Sequence, residues 1–183
     1  MSQPSAWLHR HIGLLPAGLV LDLACGAGRN SLFLLEKGCQ VLALDKDAQG
    51  FVALEAAGAR TMRHDLEADI EHGNWPFAEN AFAAILVCNY LHRPLFPDML
   101  GSLEPGGLLI YETFAAGNAQ FGKPSNPAFL LRQGELLEQI RSNPQVAMQV
   151  IAYEEGYVEQ PKPAMIQRIC ARKTGKTNVL DRL

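Results

Sequence analysis

Cysteine and tryptophan are scarce in this chain, neither sign of charge dominates, and no apolar run is long enough to cross a bilayer. The four cysteines, Cys25, Cys39, Cys88 and Cys170, stand far apart and form no Cys-x-x-Cys pair. That spacing argues against a disulfide framework or a thiolate metal site and for buried small hydrophobes in a reducing compartment. Lysine and arginine number 16 against 19 aspartates and glutamates, for a net charge of −3. No broad basic surface is available for a phosphate backbone, so nucleic acid is not the expected partner. A membrane-spanning helix needs about 20 consecutive apolar residues, and none is present. The first residues carry Trp7, His9, Arg10 and His11 where a signal peptide would carry an apolar core. A cytoplasmic protein with no membrane partner is the expectation; the oligomeric state is not legible.

What is present is enough apolar material, 48% of 183 residues, to build one domain with its own core and without a metal. The pattern alternates between strand and helix. Residues 3 to 15 form a short leading helix stopped by Pro16, and residues 19 to 23 are a strand running into glycines. A helix from Ser31 ends at Gly38, and the strand Gln40 to Asp45 follows. Asp47 caps a helix running to Ala57. Ala59 to His64 is a third strand, and Glu67 to Glu79 is a loop with at most one helical turn, anchored by Trp75 and Phe77. Ala81 to Cys88 is an apolar strand covered on both faces, Pro94 to Leu103 a short helix, Glu104 to Gly107 a turn, and Leu108 to Phe114 a fifth strand. Residues 115 to 131 are irregular and long enough to act as a lid over a site. A helix from Gln133 to Arg141 precedes two β-like runs, Gln145 to Glu154 and Pro163 to Arg172, expected to pair antiparallel. The expected fold class is α/β: a Rossmann-like, doubly wound, mostly parallel seven-stranded sheet with a C-terminal antiparallel hairpin and helices on both faces. A single domain covers 1–172, with 1–18 as an N-terminal cap and 173–183 as a flexible tail.

Chemistry-bearing residues gather at the carboxyl ends of these strands, where open parallel sheets bind ligands. The first strand delivers Asp22 and the turn Ala24-Cys-Gly-Ala-Gly28. Gly26 and Gly28 permit backbone angles closed to other residues and let a ligand approach the main chain and the first N–H groups of the next helix. An unpaired carboxylate is costly inside an apolar strand, so Asp22 needs a partner nearby. Asp45 ends the second strand as an acceptor for paired ribose hydroxyls, Asp65 follows the third, and the fourth strand runs into Asn89-Tyr-Leu-His-Arg93. Tyr111 and Glu112 lie on the fifth. Trp7 and Arg10 are placed to close over the cradle; plain packing and a solvated charge are the alternatives for them. Where a dinucleotide fingerprint has its third glycine this chain has Ser31, which weakens the reading as an NAD(P)-dependent oxidoreductase.

At this point the residues resemble the class I S-adenosylmethionine-dependent methyltransferases. Leu21-Asp-Leu-Ala-Cys-Gly-Ala-Gly28 matches their first motif, and Asp45, Asp65, Pro105-Gly-Gly107 and the final hairpin extend the likeness over nearly the whole domain. Cys25-Gly-Ala-Gly-Arg-Asn-Ser31 is similar to the tellurite-resistance-type methyltransferases and their uncharacterised bacterial relatives. The resemblance implies S-adenosylmethionine as cofactor, S-adenosylhomocysteine as product, and no metal. It also implies that Ala24, Gly26 and Gly28 lie against the methionine part with Asp22 near its amino group. Asp45 and Lys46 would serve the ribose, Asp65 and the Leu66 backbone the adenine edge, and Asn89 the amino end, with Arg10 a further contact. The sulfonium already activates the methyl group, so positioning is most of the mechanism. A general base helps where the acceptor arrives protonated; His92 is the first candidate by location, then Tyr90, Tyr111 and Glu112. Arg93 is placed to meet an anionic acceptor, or else to be a solvated charge. The chain lacks the Asn/Asp-Pro-Pro-Tyr/Phe segment of base-amine methyltransferases, so a small-molecule acceptor is expected. A non-catalytic cofactor-binding module is the remaining alternative.

Overall fold

The computed structural model describes residues 3–68 and 74–174. Its centre is a seven-stranded sheet in the order β3-β2-β1-β4-β5-β7-β6. The strands are β1 (Leu19–Leu23), β2 (Gln40–Asp45), β3 (Arg60–Arg63), β4 (Phe82–Cys88), β5 (Leu103–Phe114), β6 (Met148–Val158) and β7 (Ala164–Lys173). The first five are parallel, and β7 runs antiparallel to both β5 and β6. The alternation of strand and helix predicted this arrangement, final hairpin included. Strand order reverses between β1 and β4, which opens a crevice at their carboxyl ends.

Successive residues of a strand face opposite ways, and the two faces of the sheet carry two separate cores. Val20, Ala84, Leu86, Leu108, Ile110 and Cys170 pack under α1 (Ala6–His11), α2 (Arg29–Glu36) and α3 (Phe51–Ala56). Leu21, Leu23, Ile85, Val87, Leu109 and Tyr111 pack under α4 (Phe96–Gly101) and α5 (Glu135–Arg141). β4 is buried along nearly its whole length, as its unbroken apolar run requires.

The helices begin and end for local reasons. The Ser5 hydroxyl caps α1 by accepting from the N–H groups of Trp7 and Leu8. Gly38, at φ +81°, ends α2; its N–H bonds the Leu35 carbonyl, and the Cys39 N–H bonds the Leu34 carbonyl. Trp75 donates its indole N–H to Ser102 at 2.8 Å, and Phe77 packs edge-on against Phe82, so both rings anchor their loop.

Several boundaries differ from the sequence expectation, β6 (Met148–Val158) against Gln145 to Glu154 among them, and three are informative. α3 starts at Phe51, and Asp47 caps only a turn, accepting from the Gln49 N–H. The reason lies at Gly50, where a Cβ would come within 3.0 Å of the Gly26 carbonyl, so the chain must first pass close by the glycine turn. Glu104 to Gly107 lie within β5 as an irregularity: Phe82 pairs with Leu103, but Ala84 already pairs with Leu108. The expected tail begins tied down, since Lys173 Nζ donates to the carbonyls of Gly101 and Leu103 and the Thr174 N–H to that of Ala147. Residues 175–183, the rest of that tail, and 69–73, part of the expected loop, lie outside the described residues.

Candidate functional site

β1 ends in a turn built for close approach. Ala24 (φ +53°), Gly26 (φ +57°) and Gly28 (φ +78°) are all left-handed, and Gly28 opens α2. A Cβ on Gly28 would sit 2.5 Å from Leu54, so glycine is needed there for packing as well as for angle; beside Gly26 the space is open. Across the crevice Asn89, at φ +59°, is a second non-glycine residue in the left-handed region. Strain of this kind persists where the surroundings enforce it, and it flanks this crevice on both sides.

Two carboxylates hold the turn. Asp22 is buried, and the Ser31 hydroxyl donates to its Oδ2 at 2.5 Å, supplying the partner that an acid inside a strand requires. Burial pushes the Asp22 carboxyl up to about 6; the hydroxyl and N–H of Ser31 and the charge of Arg29 pull it down, while Asp45 adds to the rise. Ser31, which replaces the third dinucleotide glycine, is therefore the hydrogen-bond partner of Asp22. Asp45 reaches back to the glycines: its Oδ2 accepts from the Gly26 N–H at 2.8 Å and its Oδ1 from the Asp47 N–H at 2.9 Å. Each oxygen keeps acceptor capacity for a ligand.

A cavity of about 180 Å³ opens beside this turn, lined by Ala24, Leu44, Asp45, Lys46, His64, Asp65, Leu66, Glu67 and Tyr90. The structure thus gathers Ala24, Asp45, Lys46, Asp65, Leu66 and Tyr90 of the sequence-derived candidates around one space. Asp65 accepts from the Glu67 N–H at 3.0 Å, and Asn74 ties the segment by donating its side-chain N–H to the Asp65 carbonyl and its backbone N–H to that of Leu66. His64, Glu67 and Asn74 escaped the sequence reading because a polar edge strand and the loop after it carry no periodic signal. The Tyr90 hydroxyl is buried and without a hydrogen bond. Burial and then the nearby Glu67 push it well above the usual phenol range, and Tyr90 stands in the wall of the cavity.

The other candidates lie elsewhere. Tyr111 is buried, stacked on Phe96, and donates its hydroxyl to the Tyr90 carbonyl at 2.7 Å. Burial raises its hydroxyl further still, so its role is to hold the Tyr90 backbone. The Nε2 of His92 is closed off and without a partner. Glu112 faces the opposite side of the sheet from Tyr111, in register with Cys88 on one flank and Arg168 on the other, and Arg168 is in register with Glu154. These side chains form one polar row across the carboxyl ends of the strands. Cys88 donates its thiol hydrogen to Glu112 Oε1 at 3.2 Å, and Arg29 closes the row by reaching Cys88 Sγ at 3.2 Å. Arg29 and Cys88 were missed as site residues, although the strand period places Cys88 and Glu112 on one face.

Comparison with known proteins places this geometry. Residues 20–107 match a family described as a methyltransferase domain. The fold is one that solved methyltransferases share. TehB of Haemophilus influenzae has the same fold with a TM-score of 0.72 at 19% identity, over 91% of this chain and 61% of that one. A Burkholderia thailandensis 1,6-didemethyltoxoflavin-N1-methyltransferase, solved with bound S-adenosylhomocysteine, gives 0.66 at 23% identity over 93% and 76%. In sequence the chain is 31% identical over 155 residues to the demethylmenaquinone methyltransferase of Corynebacterium urealyticum, covering 81% of this chain and 60% of that protein. The chain spans 39% to 60% of the length of the curated relatives it matches.

The matched stretch contains the glycine turn, Asp45, Asp65 and Asn89 and ends before Glu112 and the 115–131 loop. Two arginines near it have roles the sequence did not reveal. Arg93 is no open anion contact: its Nε and Nη2 bond both oxygens of Glu135 at 2.5 and 3.0 Å, and it also donates to the carbonyls of Ala128 and Leu130. Glu135 is fully buried; burial pushes its carboxyl up, but Arg93 and Arg132 outweigh that and hold it below the usual range. This pair staples the end of the 115–131 loop to α5. Arg10 is engaged as well. It pairs with Glu154 at 2.6 Å and lies 5.4 Å from the centre of the buried Trp7 ring, while Arg168 covers the same ring at 4.7 Å. α1 therefore docks beside the polar row. No metal-binding group of side chains occurs among the described residues, and no described helix is long and apolar enough to cross a membrane.

Proposed function

We propose that the protein transfers a methyl group from S-adenosylmethionine to a small-molecule acceptor. The observation that carries this reading is the cavity between β1, β2 and β4, where Asp45 is held by the N–H groups of Gly26 and Asp47 with acceptor capacity left over. That donor set fits the group: Asp45 for the ribose hydroxyls with Lys46 beside it, and Asp65 with the Leu66 backbone for the adenine edge. Ala24, Gly26 and Gly28 would take the methionine end, with Asp22 and Asn89 about its amino group. The unbonded Tyr90 hydroxyl adds one more polar atom to the wall.

S-adenosylmethionine, when bound, would supply a methyl group already activated on a sulfonium, give it up to the acceptor as the S–CH3 bond breaks, and leave as S-adenosylhomocysteine. The chain's own task is then to place the acceptor in line, exclude water and accept a proton where the acceptor carries one; orientation alone can contribute roughly 7–11 kcal/mol. Glu112 is the better placed of the two remaining base candidates. It lies in the polar row lining the crevice and spends Oε1 on Cys88, whereas His92 presents a ring nitrogen closed off from solvent. The 115–131 loop follows β5, held by the bridge of Ala115 to Leu131 and by Asn118, which accepts from the Met165 N–H.

Calorimetry tests the reading. S-adenosylhomocysteine is expected to bind with micromolar affinity and NADH not at all; the reverse pattern overturns it. Labelled S-adenosylmethionine incubated with a metabolite extract is expected to label small molecules. Cofactor binding with no labelled acceptor would instead support a binding module.

A further inference from the structure

Among the arginines of the polar row, Arg29 stands apart. Arg10 and Arg168 share Glu154, and on the opposite face Arg93 and Arg132 share Glu135. Arg29, half-buried at the start of α2, forms no ion pair among the described residues. Its guanidinium makes a 3.2 Å contact to Cys88 Sγ and a 3.3 Å contact to the Gln3 carbonyl. Both are weak exchanges for a charge that forks onto a carboxylate.

The thiol cannot supply the missing negative charge. Burial and then Glu112 push Cys88 up to about 12, and its hydrogen is already committed to Glu112 Oε1. The contact from α2 to the end of β4 also spans the crevice where strand order reverses, between the glycine turn and left-handed Asn89. A cation held there by placeholders, with a forked set of donors, is a binding group awaiting an anion.

We propose that Arg29 is the seat for a carboxylate in the crevice between β1 and β4. The inference rests on the cofactor reading above and deepens it. Two carboxylates can reach this place, the amino-acid end of the cofactor and that of an anionic acceptor. The position of Asp22 favours the first: it lies within electrostatic reach of Arg29, and an acid beside an arginine is the complement of an amino-acid zwitterion. On binding, the guanidinium exchanges the thiol and the Gln3 carbonyl for two charge-assisted hydrogen bonds. Gln3 precedes the capped helix α1, and Asn30 Oδ1 accepts from the Ser5 N–H at 2.9 Å, so the exchange also loosens one of the two ties between α2 and the N-terminal segment.

The test compares the wild type, Arg29→Gln and Arg29→Lys by calorimetry with S-adenosylhomocysteine and with 5′-methylthioadenosine, which lacks the amino-acid end. A second arm titrates the ligand-free proteins with malonate and follows the arginine Nε–H signals by NMR. The expected result is at least a tenfold loss of S-adenosylhomocysteine affinity in Arg29→Gln, partial recovery in Arg29→Lys, and 5′-methylthioadenosine affinity unchanged within twofold. If S-adenosylhomocysteine is unaffected but malonate moves the Arg29 signal at millimolar concentration in the wild type, the seat belongs to the acceptor. Equal weakening of both nucleosides assigns Arg29 to packing and overturns the proposal, as does the absence of any effect on S-adenosylhomocysteine together with silence toward malonate. Failure of the wild type to bind S-adenosylhomocysteine would overturn the cofactor reading, and the malonate arm would still decide Arg29.

Discussion

Replacing Asp22 by asparagine changes how stability depends on pH, and the size of the effect follows from the burial of that side chain. The carboxyl is held at about 6, against an ordinary value of 3.8, because burial outweighs the hydrogen bonds from Ser31. The folded state therefore binds this proton more tightly than the unfolded chain does. The corresponding stability is fully present below about pH 4 and is lost as pH rises through 6. At 1.36 kcal/mol per pH unit, ionised Asp22 costs the folded protein about 3 kcal/mol at neutral pH. An asparagine in its place would keep an oxygen for the Ser31 hydroxyl and add a buried amide donor, a penalty of about 1–3 kcal/mol that does not change with pH. The stability of Asp22→Asn relative to wild type should thus climb by about 3 kcal/mol between pH 4 and pH 7.5 and then level off. Urea unfolding of both proteins across that range measures it. A difference that stays constant within about 1 kcal/mol would refute the burial argument. With saturating S-adenosylhomocysteine the climb should shrink, since a bound ammonium beside Asp22 favours its ionised form.

Asp45→Ala should weaken S-adenosylhomocysteine and 5′-methylthioadenosine alike, by roughly 10- to 100-fold for a lost charged acceptor worth about 1.5–3 kcal/mol, as read by calorimetry. Arg93→Ala strands the buried Glu135 carboxylate and should destabilise the fold by about 3–5 kcal/mol in urea unfolding, with Arg93→Met combined with Glu135→Leu recovering most of it. Gly28→Ala faces both a left-handed backbone and a 2.5 Å contact with Leu54, so its melting temperature should fall by several degrees for a loss of roughly 2 kcal/mol, and the additional change Leu54→Ala should not restore it. Once an acceptor is in hand, Glu112→Gln should lower the transfer rate, whereas His92→Ala should leave it within a few-fold of wild type.

Why so much of the fold was legible becomes clear when the correct elements are set beside the missed ones. β1, β2, β4 and the final hairpin are specified by apolar periodicity, which every residue of the strand repeats, and Gly38 ends α2 by a backbone rule that needs no tertiary partner. The start of α3 was missed because it is decided at Gly50 by contact with the Gly26 turn, a segment more than twenty residues away in sequence that no local pattern announces. The site divides in the same way. Asp22, Asp45 and the glycines were legible because a charge in an apolar strand, or a glycine before a helix, is anomalous where it stands. The ion pairs of Arg93 and Arg10 were not legible because an arginine on a loop or a short helix looks the same whether it meets a ligand or a distant carboxylate, and only the fold brings Glu135 and Glu154 to them. Arg29 is the converse: in sequence it is one letter of a turn motif, and its interest arises from the lack of any such carboxylate once the sheet is assembled. Strand periodicity could have supplied half of that information, since it aligns Cys88 with Glu112 and Glu112 with Arg168 on one face. The other half required knowing that α2 crosses the crevice, so that the charge left over after every other arginine of the row has found its acid stands where a ligand's carboxylate would lie.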